Sequence, residues 1–510
     1  MKRILLTAAA AAMAVAAFAQ VRVSVNETAK DQPVIPKEIY GQFAEHLGRC
    51  IYDGIWVGED SDIPNIGGYR KDLFEALKDL QIPVLRWPGG CFADEYHWRD
   101  GIGPRENRPQ MINSNWGGTV EDNSFGTHEF LNLCEMLGTE PYISGNVGSG
   151  TVEEIAKWVE YMTAEGGTLA EERAKNGRKE PWKVKYFGVG NESWGCGGNM
   201  TAQFYSDMYK RYAIYCRNYD GNRLFKIASG ASDYDYNWTR TLMNNVRSDI
   251  SGLSLHYYTV MDWNAKGSAL SFDAASYYDV IAKACEVDMV LRNHEGIMDI
   301  YDPQRRIALI LDEWGTWFDV EPGTNPGHLY QQNTMRDAMV AALSLNIFHN
   351  HTRRLKMANI AQVVNVLQAM ILTRGKEMVL TPTYHVFHMY RDFQDASYVP
   401  VLYNPSNEVS ASGRVYPEVS VSAASKDGSV VISLVNTSLD EPRTFEVSFD
   451  SLNPSSVTGE ILNSKNITDY NDFGRGKDTV KPSALKGIKV SGNTVKVTVP
   501  AASIAVLHAR

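Results

Sequence analysis

Two glutamates that follow short apolar runs, Glu192 and Glu313, are the residues best placed to do chemistry. The first lies within residues 190–194 and the second within residues 312–317, and each segment also carries tryptophan. Hydrolysis of a glycosidic bond needs two carboxyl groups, one protonated for the leaving oxygen and one ionised at the anomeric carbon. A single glutamate is usually a solvated loop carboxylate or an ion-pair partner. The prediction of a glycoside hydrolase therefore requires that both glutamates reach one site.

The elements that must position these glutamates follow from an alternation of short β-rich runs and longer helical patterns over residues 37–385. Eight runs occur in succession, which is the number that closes a parallel barrel with crossover helices. The runs are residues 38–43, 83–87, 141–146, 184–189, 226–230, 252–257, 307–311 and 357–363. An open doubly wound sheet would alternate similarly, but no glycine-rich phosphate motif follows the first run. The predicted fold is α/β, a (β/α)8 TIM barrel.

The catalytic groups of such barrels lie at the C-terminal ends of the strands. Glu192 follows the fourth run and Glu313 follows the seventh, and these strands lie on opposite sides of the ring. The two carboxyl groups are therefore expected to face each other across the mouth. A separation of roughly 5 to 5.5 Å would retain the anomeric configuration, whereas about 6.5 to 9.5 Å would admit water and invert it.

After residue 386 the hydrophobic pattern changes to a period of two. Alternating apolar residues flank turn sequences at residues 426–428 and 491–493, which is typical of β-hairpins. Residues 386–510 are therefore predicted to form a C-terminal antiparallel β-sandwich. Residues 21–25 alternate in the same way, so residues 20–36 are expected to add an N-terminal strand to that sandwich. A chain of 510 residues fits two such domains.

The charge of the chain and its first residues bear on partners and compartment. A net charge of −10 argues against a nucleic-acid partner, which would need a basic face.

Lys2 and Arg3 precede an apolar, alanine-rich stretch, and residues 17–19 read as an A-x-A cleavage site. Residues 1–19 therefore predict a signal peptide and an exported protein, periplasmic or extracellular. No later apolar run is long enough to span a membrane.

Several motifs carry a resemblance to known enzymes. The segment 190–192 (GNE) and Glu313 look like the acid/base and nucleophile motifs of a large clan of retaining (β/α)8 glycosidases. More narrowly, five segments resemble, in order, motifs of glycoside hydrolase family 51, the α-L-arabinofuranosidases. They are residues 40–49 (YGQFAEHLGR), 86–90 (RWPGG), 254–258 (SLHYY), 312–314 (DEW) and 359–366 (NIAQVVNV). Members of this family also carry a C-terminal β-sandwich.

The resemblance implies a role for the residues that match the family motifs. Glu192 would be the general acid/base and Glu313 the nucleophile that forms a covalent arabinosyl-enzyme. Asn191 resembles the side chain that hydrogen-bonds the sugar 2-hydroxyl. Glu45 resembles a residue that binds sugar hydroxyls, although an ion pair with His46 or Arg49 is the alternative for it.

Further residues are candidates for the rest of the sugar site. His256 and Tyr258 alternate along one strand, so both side chains should point into the mouth. The resemblance places the histidine near the acid/base and the tyrosine in a hydrogen bond to the nucleophile. Gln362 resembles another contact to a sugar hydroxyl. Trp317 is a candidate stacking platform, with core packing an equal alternative.

One position departs from the family pattern. Many members carry asparagine directly after the Pro-Gly-Gly segment, where it contacts the furanose, but this chain has Cys91. A thiol is a weak donor and acceptor and does not reproduce the hydrogen bonds of an amide. Either Asp94 takes over that contact or the subsite has another shape. Most of the six cysteines are expected to be buried thiols, and a bridge between Cys91 and Cys196, which both lie on mouth loops, is the one pairing left open.

The resemblance implies an exo-acting, retaining α-L-arabinofuranosidase. It would release terminal non-reducing arabinofuranosyl residues from arabinan or arabinoxylan by double displacement. No metal site and no cofactor are expected, because the histidines are scattered along the chain. The alternatives are another retaining glycosidase of the clan, such as a β-xylosidase or an endo-β-glucanase, and a non-catalytic carbohydrate-binding protein. A homo-oligomer, a hexamer by resemblance, is the further expectation.

Overall fold

Eight parallel strands form a closed barrel in the computed structural model, which describes residues 20–404, 406–474 and 476–510. Barrel strands 1 to 8 follow one another around the ring in chain order, and strand 8 pairs with strand 1. They are Gly41–Phe43, Val84–Trp87, Glu140–Gly145, Tyr186–Val189, Phe225–Ser232, Gly252–Thr259, Ala308–Thr316 and Leu355–Ala361. The predicted TIM barrel is confirmed.

The α-helices that cross over between these strands pack on the outside of the barrel. They are Lys71–Leu80, Thr127–Leu137, Val152–Thr163, Thr168–Lys175, Ala202–Ala213, Tyr236–Val246, Ala274–Cys285, Val287–Tyr301 and Met335–Asn350, and a further helix, Pro382–Met389, follows strand 8. Several begin with a side-chain cap, such as Thr151 accepting from the Glu154 N–H, which satisfies a free amide of the first turn. Among the described residues no helix is both long enough and apolar enough to cross a membrane.

Two strand boundaries differ from the sequence prediction and bear on the site. Residues 38–40 belong to a short 3-10 turn, Lys37–Tyr40, and strand 1 begins only at Gly41. Gly41 has no Cβ, and one added there would collide with the side chains of Asn359 and Val84, so glycine is needed where strands 1 and 8 meet. Strand 7 is longer than predicted and continues through Glu313 to Thr316, which places the glutamate inside a hydrogen-bonded strand.

The C-terminal region is an antiparallel β-sandwich of a five-stranded and a six-stranded sheet. Its strands within the chain beyond the barrel are Ser397–Val399, Val401–Tyr403, Val419–Lys426, Ser429–Asn436, Arg443–Phe449, Val457–Leu462, Ser483–Ala484, Lys489–Ser491, Thr494–Val499 and Ser503–Ala509. The N-terminal strand Gln20–Val25 completes the five-stranded sheet, in which it pairs in parallel with Arg443–Phe449. Its valines at 21, 23 and 25 are buried in the sandwich core.

The junction of the two units lies after residue 386. That residue is inside the helix Pro382–Met389, and the first sandwich strand begins at Ser397. The sandwich packs on the helix Met335–Asn350, where Asn346 and His349 hydrogen-bond Ser420 and Ser422. The predicted signal peptide, residues 1–19, falls outside the described residues.

Candidate active site

A cavity of about 260 Å³ opens at the C-terminal end of the barrel, where the strand-end loops meet. This volume is at the small end of ligand sites, which measure roughly 300 to 1,000 Å³. Its wall is formed by Glu45, Leu47, Gly90, Cys91, Trp116, Glu192, Trp194, Ser232, Tyr258, Trp263, Glu313, Trp317, Leu329, Gln362 and Leu367. The cavity brings together most of the residues that the sequence singled out. Asn191 and His256 are not on the wall. Asn191 is hydrogen-bonded to Arg86, and His256 is hydrogen-bonded to Glu192.

Glu192 sits on a tight turn that begins at the end of strand 4. Its φ is 36°, in the left-handed region that disfavours a residue with a Cβ. The turn is held because the amides of Gly195 and Gly197 both donate to the Glu192 carbonyl, at 2.7 and 3.1 Å. The Ser193 amide also donates to Ser229 Oγ at 3.1 Å. The backbone therefore fixes the direction in which the Glu192 side chain leaves the loop.

Glu313 is buried and accepts hydrogen bonds at both carboxylate oxygens. Arg86 Nη1 donates to Oε1 at 2.8 Å, and the Tyr258 hydroxyl donates to Oε2 at 2.8 Å. Arg86 is fully buried itself, and its Nε lies 3.7 Å from Asp312 Oδ2. A charge-assisted bond from a buried guanidinium stabilises the ionised carboxylate. Glu313 is thus held as an anion with its oxygens aimed by two donors.

His256 lies between three carboxylates. Its Nδ1 is 2.7 Å from Glu192 Oε1 and 3.6 Å from Glu313 Oε2, and its Nε2 is 3.2 Å from Asp312 Oδ1. Burial alone would lower the pKa of His256, but the charge of Glu313 and the hydrogen bonds to Asp312 and Glu192 raise it to about 10. The imidazole is therefore a cation at neutral pH; its Nδ1 donates to Glu192, and its Nε2 faces Asp312 at ion-pair distance.

The two glutamates are close enough to act on one atom. An oxygen of Glu192, an oxygen of Glu313 and a nitrogen of His256 all lie within 4.8 Å of one another. So close an approach of two carboxyl oxygens favours the roughly 5 to 5.5 Å separation of retaining glycosidases over the gap of about 6.5 to 9.5 Å that inversion requires.

The charges around the pair favour a protonated Glu192. Burial raises the pKa of Glu192, against the hydrogen bond and charge of His256, which act to lower it. Burial works in the same direction on Asp312, but Arg86 and His256 lower the pKa of that carboxyl to about 2. With Glu192 neutral, the cations Arg86 and His256 match the anions Glu313 and Asp312. A third carboxylate charge, at Glu192, would exceed the two cations.

Glu45 and Gln362 form one polar corner of the cavity. Glu45 Oε1 accepts from the amides of Gly90 and Phe92 and from Trp116 Nε1, at 3.0 to 3.1 Å. Gln362 Nε2 donates to Glu45 Oε2 at 3.1 Å, which leaves the buried Gln362 Oε1 with no partner. Neither His46 nor Arg49 pairs with Glu45, so the ion-pair alternative does not hold; His46 contacts Glu121 instead. The side-chain oxygens of this corner can accept hydrogen bonds from sugar hydroxyls.

Asn191 provides an unused donor near Glu313. Its Oδ1 accepts from Arg86 Nη2 at 2.6 Å, while its buried Nδ2 has no partner. A Cβ built on Gly90 would lie 2.6 Å from Glu313 Oε1 and 3.5 Å from Asn191 Nδ2, so both groups border the space that glycine leaves open. A ligand hydroxyl next to the reacting carbon can accept a hydrogen bond from Asn191 Nδ2.

Cys91 is bonded to Cys196 in a disulfide, which the sequence left open. Of the two alternatives for the missing amide, the structure favours the second, because Asp94 is not on the cavity wall. The buried Asp94 carboxylate accepts from the amides of Val147, Gly148 and Asn191 at 2.8 to 3.2 Å, so it is used to join the mouth loops. The subsite instead has Cys91, one half of the disulfide, on its wall.

Aromatic residues form the outer rim. Trp317 packs edge-on against Tyr258, with ring centroids 5.0 Å apart, and against Trp263 at 5.3 Å. Trp263 is 52% exposed and projects from the loop after strand 6. Trp194 lies on the same wall and donates to the Gly230 carbonyl at 3.2 Å.

Sequence reasoning missed four residues of this site: Arg86, Trp116, Trp263 and Asp312. A charged residue inside an apolar strand is a usable signal for Arg86, since a buried cation needs carboxylates nearby. Trp116 and Trp263 come from irregular loops, where no periodicity points to a side-chain direction.

Two groups of described residues approach closely enough to suggest a cation site. They are Glu192, His256 and Glu313, and Cys91, Glu192 and Cys196. In the first group His256 already donates to Glu192, and in the second the two sulfur atoms are bonded to each other. Neither group offers three converging free lone pairs, which a bound metal would need.

Two domain families match the chain. The α-L-arabinofuranosidase 1 domain matches residues 76–275, and the α-L-arabinofuranosidase C-terminal domain matches residues 312–503. A protein of Bacteroides ovatus named intracellular exo-α-L-arabinofuranosidase is 60% identical over 510 residues, 99% of each chain. The α-L-arabinofuranosidase C of Emericella nidulans is 34% identical over 72% of this chain and 74% of its own.

Solved structures of arabinofuranosidases are also similar to this chain. The GH51 arabinofuranosidase from Xanthomonas axonopodis pv. citri superposes with a TM-score of 0.94 at 47% identity, over 96% of this chain and all of its own. The arabinose complex of the α-L-arabinofuranosidase from Thermotoga maritima superposes with a TM-score of 0.84 at 28% identity, over 96% of this chain and 99% of its own.

The expected compartment needs correction. The Bacteroides ovatus relative matches along almost the whole chain and is named as an intracellular enzyme, so the prediction of an exported, periplasmic or extracellular protein is wrong on this finding. The prediction rested on the two basic residues, the apolar stretch and the A-x-A site within residues 1–19. An apolar N-terminal run after two basic residues is necessary for a signal peptide, but the pattern alone is not sufficient.

Proposed function

The chain belongs to glycoside hydrolase family 51, the α-L-arabinofuranosidases, and on that premise we propose how its residues release arabinofuranose. Glu313 is the nucleophile and Glu192 is the general acid/base of a retaining double displacement. The single observation that supports this assignment best is the approach of the two carboxyl groups to within 4.8 Å in one cavity. Arg86 and Tyr258 donate to Glu313, which suits the ionised nucleophile, whereas burial raises the pKa of Glu192, which suits the acid.

In the first step Glu313 attacks the anomeric carbon while Glu192 gives its proton to the leaving oxygen. Arg86 and Tyr258 hold the attacking carboxylate ionised and aimed. The bond to the leaving group breaks as an ester bond to Glu313 forms. Because burial raises the pKa of Glu192, that carboxyl keeps its proton to a higher pH than an ordinary glutamate, as a general acid requires.

In the second step Glu192 acts as the base. It takes a proton from a water molecule that attacks the same carbon, and Glu313 leaves as a carboxylate. His256, which is cationic, stabilises the Glu192 anion between the two steps. Two inversions at one carbon give overall retention.

The substrate is a terminal α-L-arabinofuranosyl residue of arabinan or arabinoxylan. The cavity of about 260 Å³ supports cleavage of one terminal sugar at a time, because an endo-acting enzyme needs an open groove along the polymer. Glu45, Gln362 and Asn191 supply the unused hydrogen-bonding atoms that such a sugar would meet. Trp263 and Trp317 form the rim that the rest of the polymer would contact.

The test compares nitrophenyl α-L-arabinofuranoside with nitrophenyl β-D-xyloside, using the wild-type protein and Glu313→Ala. We expect the arabinofuranoside to be cleaved faster, and the variant to lose activity by several orders of magnitude, about 10⁴-fold or more. Faster xyloside cleavage would favour the β-xylosidase alternative. Unchanged turnover in Glu313→Ala would contradict the nucleophile assignment.

Two finer points are tested separately. Release of arabinose from linear arabinan, branched arabinan and arabinoxylan would rank the polymers. The hexamer stays a prediction from family resemblance, and light scattering of the purified protein would measure the subunit number.

A further inference from the structure

The disulfide between Cys91 and Cys196 joins the mouth loop that carries Glu192 to the loop after strand 2. Cys91 begins the turn Cys91–Asp94 after strand 2, and Cys196 lies four residues beyond Glu192 in the loop after strand 4. The two cysteines are 105 residues apart in sequence, and their Cα atoms are 5.5 Å apart. The bond therefore ties the acid/base loop to a separate part of the barrel mouth.

The Cys91 side of this link is rigid. The amides on either side of Cys91, those of Gly90 and Phe92, both donate to the buried Glu45 carboxylate. Asp94 at the end of the same turn accepts from the amide of Asn191, which adjoins Glu192. An anchored sulfur on one loop can thus fix the position of the other loop.

The sulfur atoms contact the oxygen of Glu192 that must carry the catalytic proton. Glu192 Oε1 accepts from the cationic His256 at 2.7 Å, so the proton of the neutral carboxyl resides on Oε2. Oε2 lies 3.4 Å from Cys196 Sγ and 3.9 Å from Cys91 Sγ. A disulfide sulfur has no hydrogen to donate, so these contacts cover one side of Oε2 without stabilising a negative charge there, and Oε2 stays open to the cavity on its other side.

Resting on the proposed function, we propose that the Cys91–Cys196 disulfide is a positioning element that keeps Oε2 of Glu192 protonated and directed at the leaving oxygen. It is a bond between loops and does not react with the substrate. Opening it would admit water, or give two thiol donors, next to Oε2. Both changes favour the carboxylate, so the acid would be weaker when the substrate binds.

The consequence depends on the leaving group. A good leaving group such as nitrophenolate departs with little protonation, whereas an alkoxide needs the acid. Loss of the disulfide should therefore impair cleavage of methyl α-L-arabinofuranoside much more than cleavage of nitrophenyl α-L-arabinofuranoside. A bond that only stabilises the fold would not discriminate between the two substrates.

The experiment uses the double variant Cys91→Ala/Cys196→Ala, with Cys285→Ala as the matched control. Cys285 is a free cysteine on the helix Ala274–Cys285, away from the cavity wall. For the double variant we expect kcat/KM to fall about tenfold on the methyl substrate and less than about twofold on the nitrophenyl substrate. The basic limb of the pH profile should move to lower pH by about one unit, because the limb reports loss of the acid's proton.

Reduction of the wild-type protein provides a second route if the double variant fails to fold. Cys196 is exposed, so dithiothreitol can reach it. The S–S bond breaks to give two thiols, and the reductant is oxidised to its cyclic disulfide. EDTA is included so that trace metals do not bind the new thiols. Alkylation and mass analysis would count the thiols, and the reduced protein should show the same substrate-dependent loss as the double variant.

Three results would overturn the proposal. The first is an equal loss, or no loss, on the two substrates and an unmoved basic limb, which would leave the bond a purely structural link. The second is alkylation of Cys91 and Cys196 without prior reduction, which would mean that the bond is absent. The third concerns Glu192→Ala, measured in parallel: if that variant shows no preference for the good leaving group, the acid assignment in the proposed function fails, independently of the disulfide.

Discussion

His256 Nδ1 lies 2.7 Å from Oε1 of Glu192, and this contact links the acid/base to the charges around the nucleophile. The same nitrogen is 3.6 Å from Glu313 Oε2, and the other ring nitrogen faces Asp312. One imidazolium therefore touches both carboxyl groups of the mechanism. It limits how far the pKa of Glu192 can rise, and it orients the oxygen that does not carry the proton.

Replacement of the cationic His256 should shift the pH dependence of kcat/KM. In His256→Gln the positive charge that lowers the pKa of Glu192 is lost, while burial and Glu313 still raise it. The pKa of Glu192 should therefore rise, and the basic limb of kcat/KM should move to higher pH. The rate at neutral pH should fall by about tenfold or more, because the charges of Glu313 and Asp312 lose a partner. A basic limb that moves to lower pH would contradict this role for His256.

Loss of the Tyr258 hydroxyl should lower kcat. Tyr258→Phe removes one hydrogen bond to the charged carboxylate of Glu313 and leaves the ring in place. Such a bond contributes about 1.5 to 3 kcal/mol, so we expect kcat to fall roughly 10- to 100-fold with little change in KM. Tyr257→Phe is the matched control, since that neighbouring hydroxyl donates to the Lys283 carbonyl, away from the cavity. Equal effects of the two substitutions on kcat would argue against a specific bond to the nucleophile.

The buried guanidinium of Arg86 should affect stability as well as activity. Arg86→Gln leaves Glu313 and Asp312 buried with one cation fewer. Removal of one partner of a buried ion pair costs about 3 to 5 kcal/mol in the free energy of unfolding. In contrast, Arg99→Gln breaks an exposed pair with Glu172 and should cost about 1 kcal/mol or less. Calorimetry of the two variants would compare their unfolding temperatures; a smaller fall for Arg86→Gln would show that its charge is not needed for the fold.

Much of the fold and the placement of the two glutamates at the mouth follow from local patterns. Each barrel strand is a short apolar run, and a parallel barrel brings all C-terminal strand ends to one face. Glu192 and Glu313 directly follow or end such runs, so their approach in space could be predicted without long-range information. Hairpins with a period of two likewise predicted the sandwich.

The remaining site residues depend on loop geometry that the sequence does not specify. Arg86 is inside strand 2, where only its burial against Asp312 and Glu313 shows its role. Trp116 reaches Glu45 from a small hairpin within residues 101–126, a stretch with no periodicity to orient a side chain. The Cys91–Cys196 pairing cannot be deduced from six cysteines alone, because pairing is set by which loops meet.

Mass analysis of the Glu192→Ala variant during cleavage of nitrophenyl α-L-arabinofuranoside tests the central claim most directly. Without the base, a covalent intermediate should form and then hydrolyse slowly. The account predicts a protein species heavier by one anhydro-arabinosyl unit, with the added mass on the proteolytic peptide that contains Glu313. An adduct on a different carboxyl group, or active turnover with no adduct and an inverted product, would contradict it.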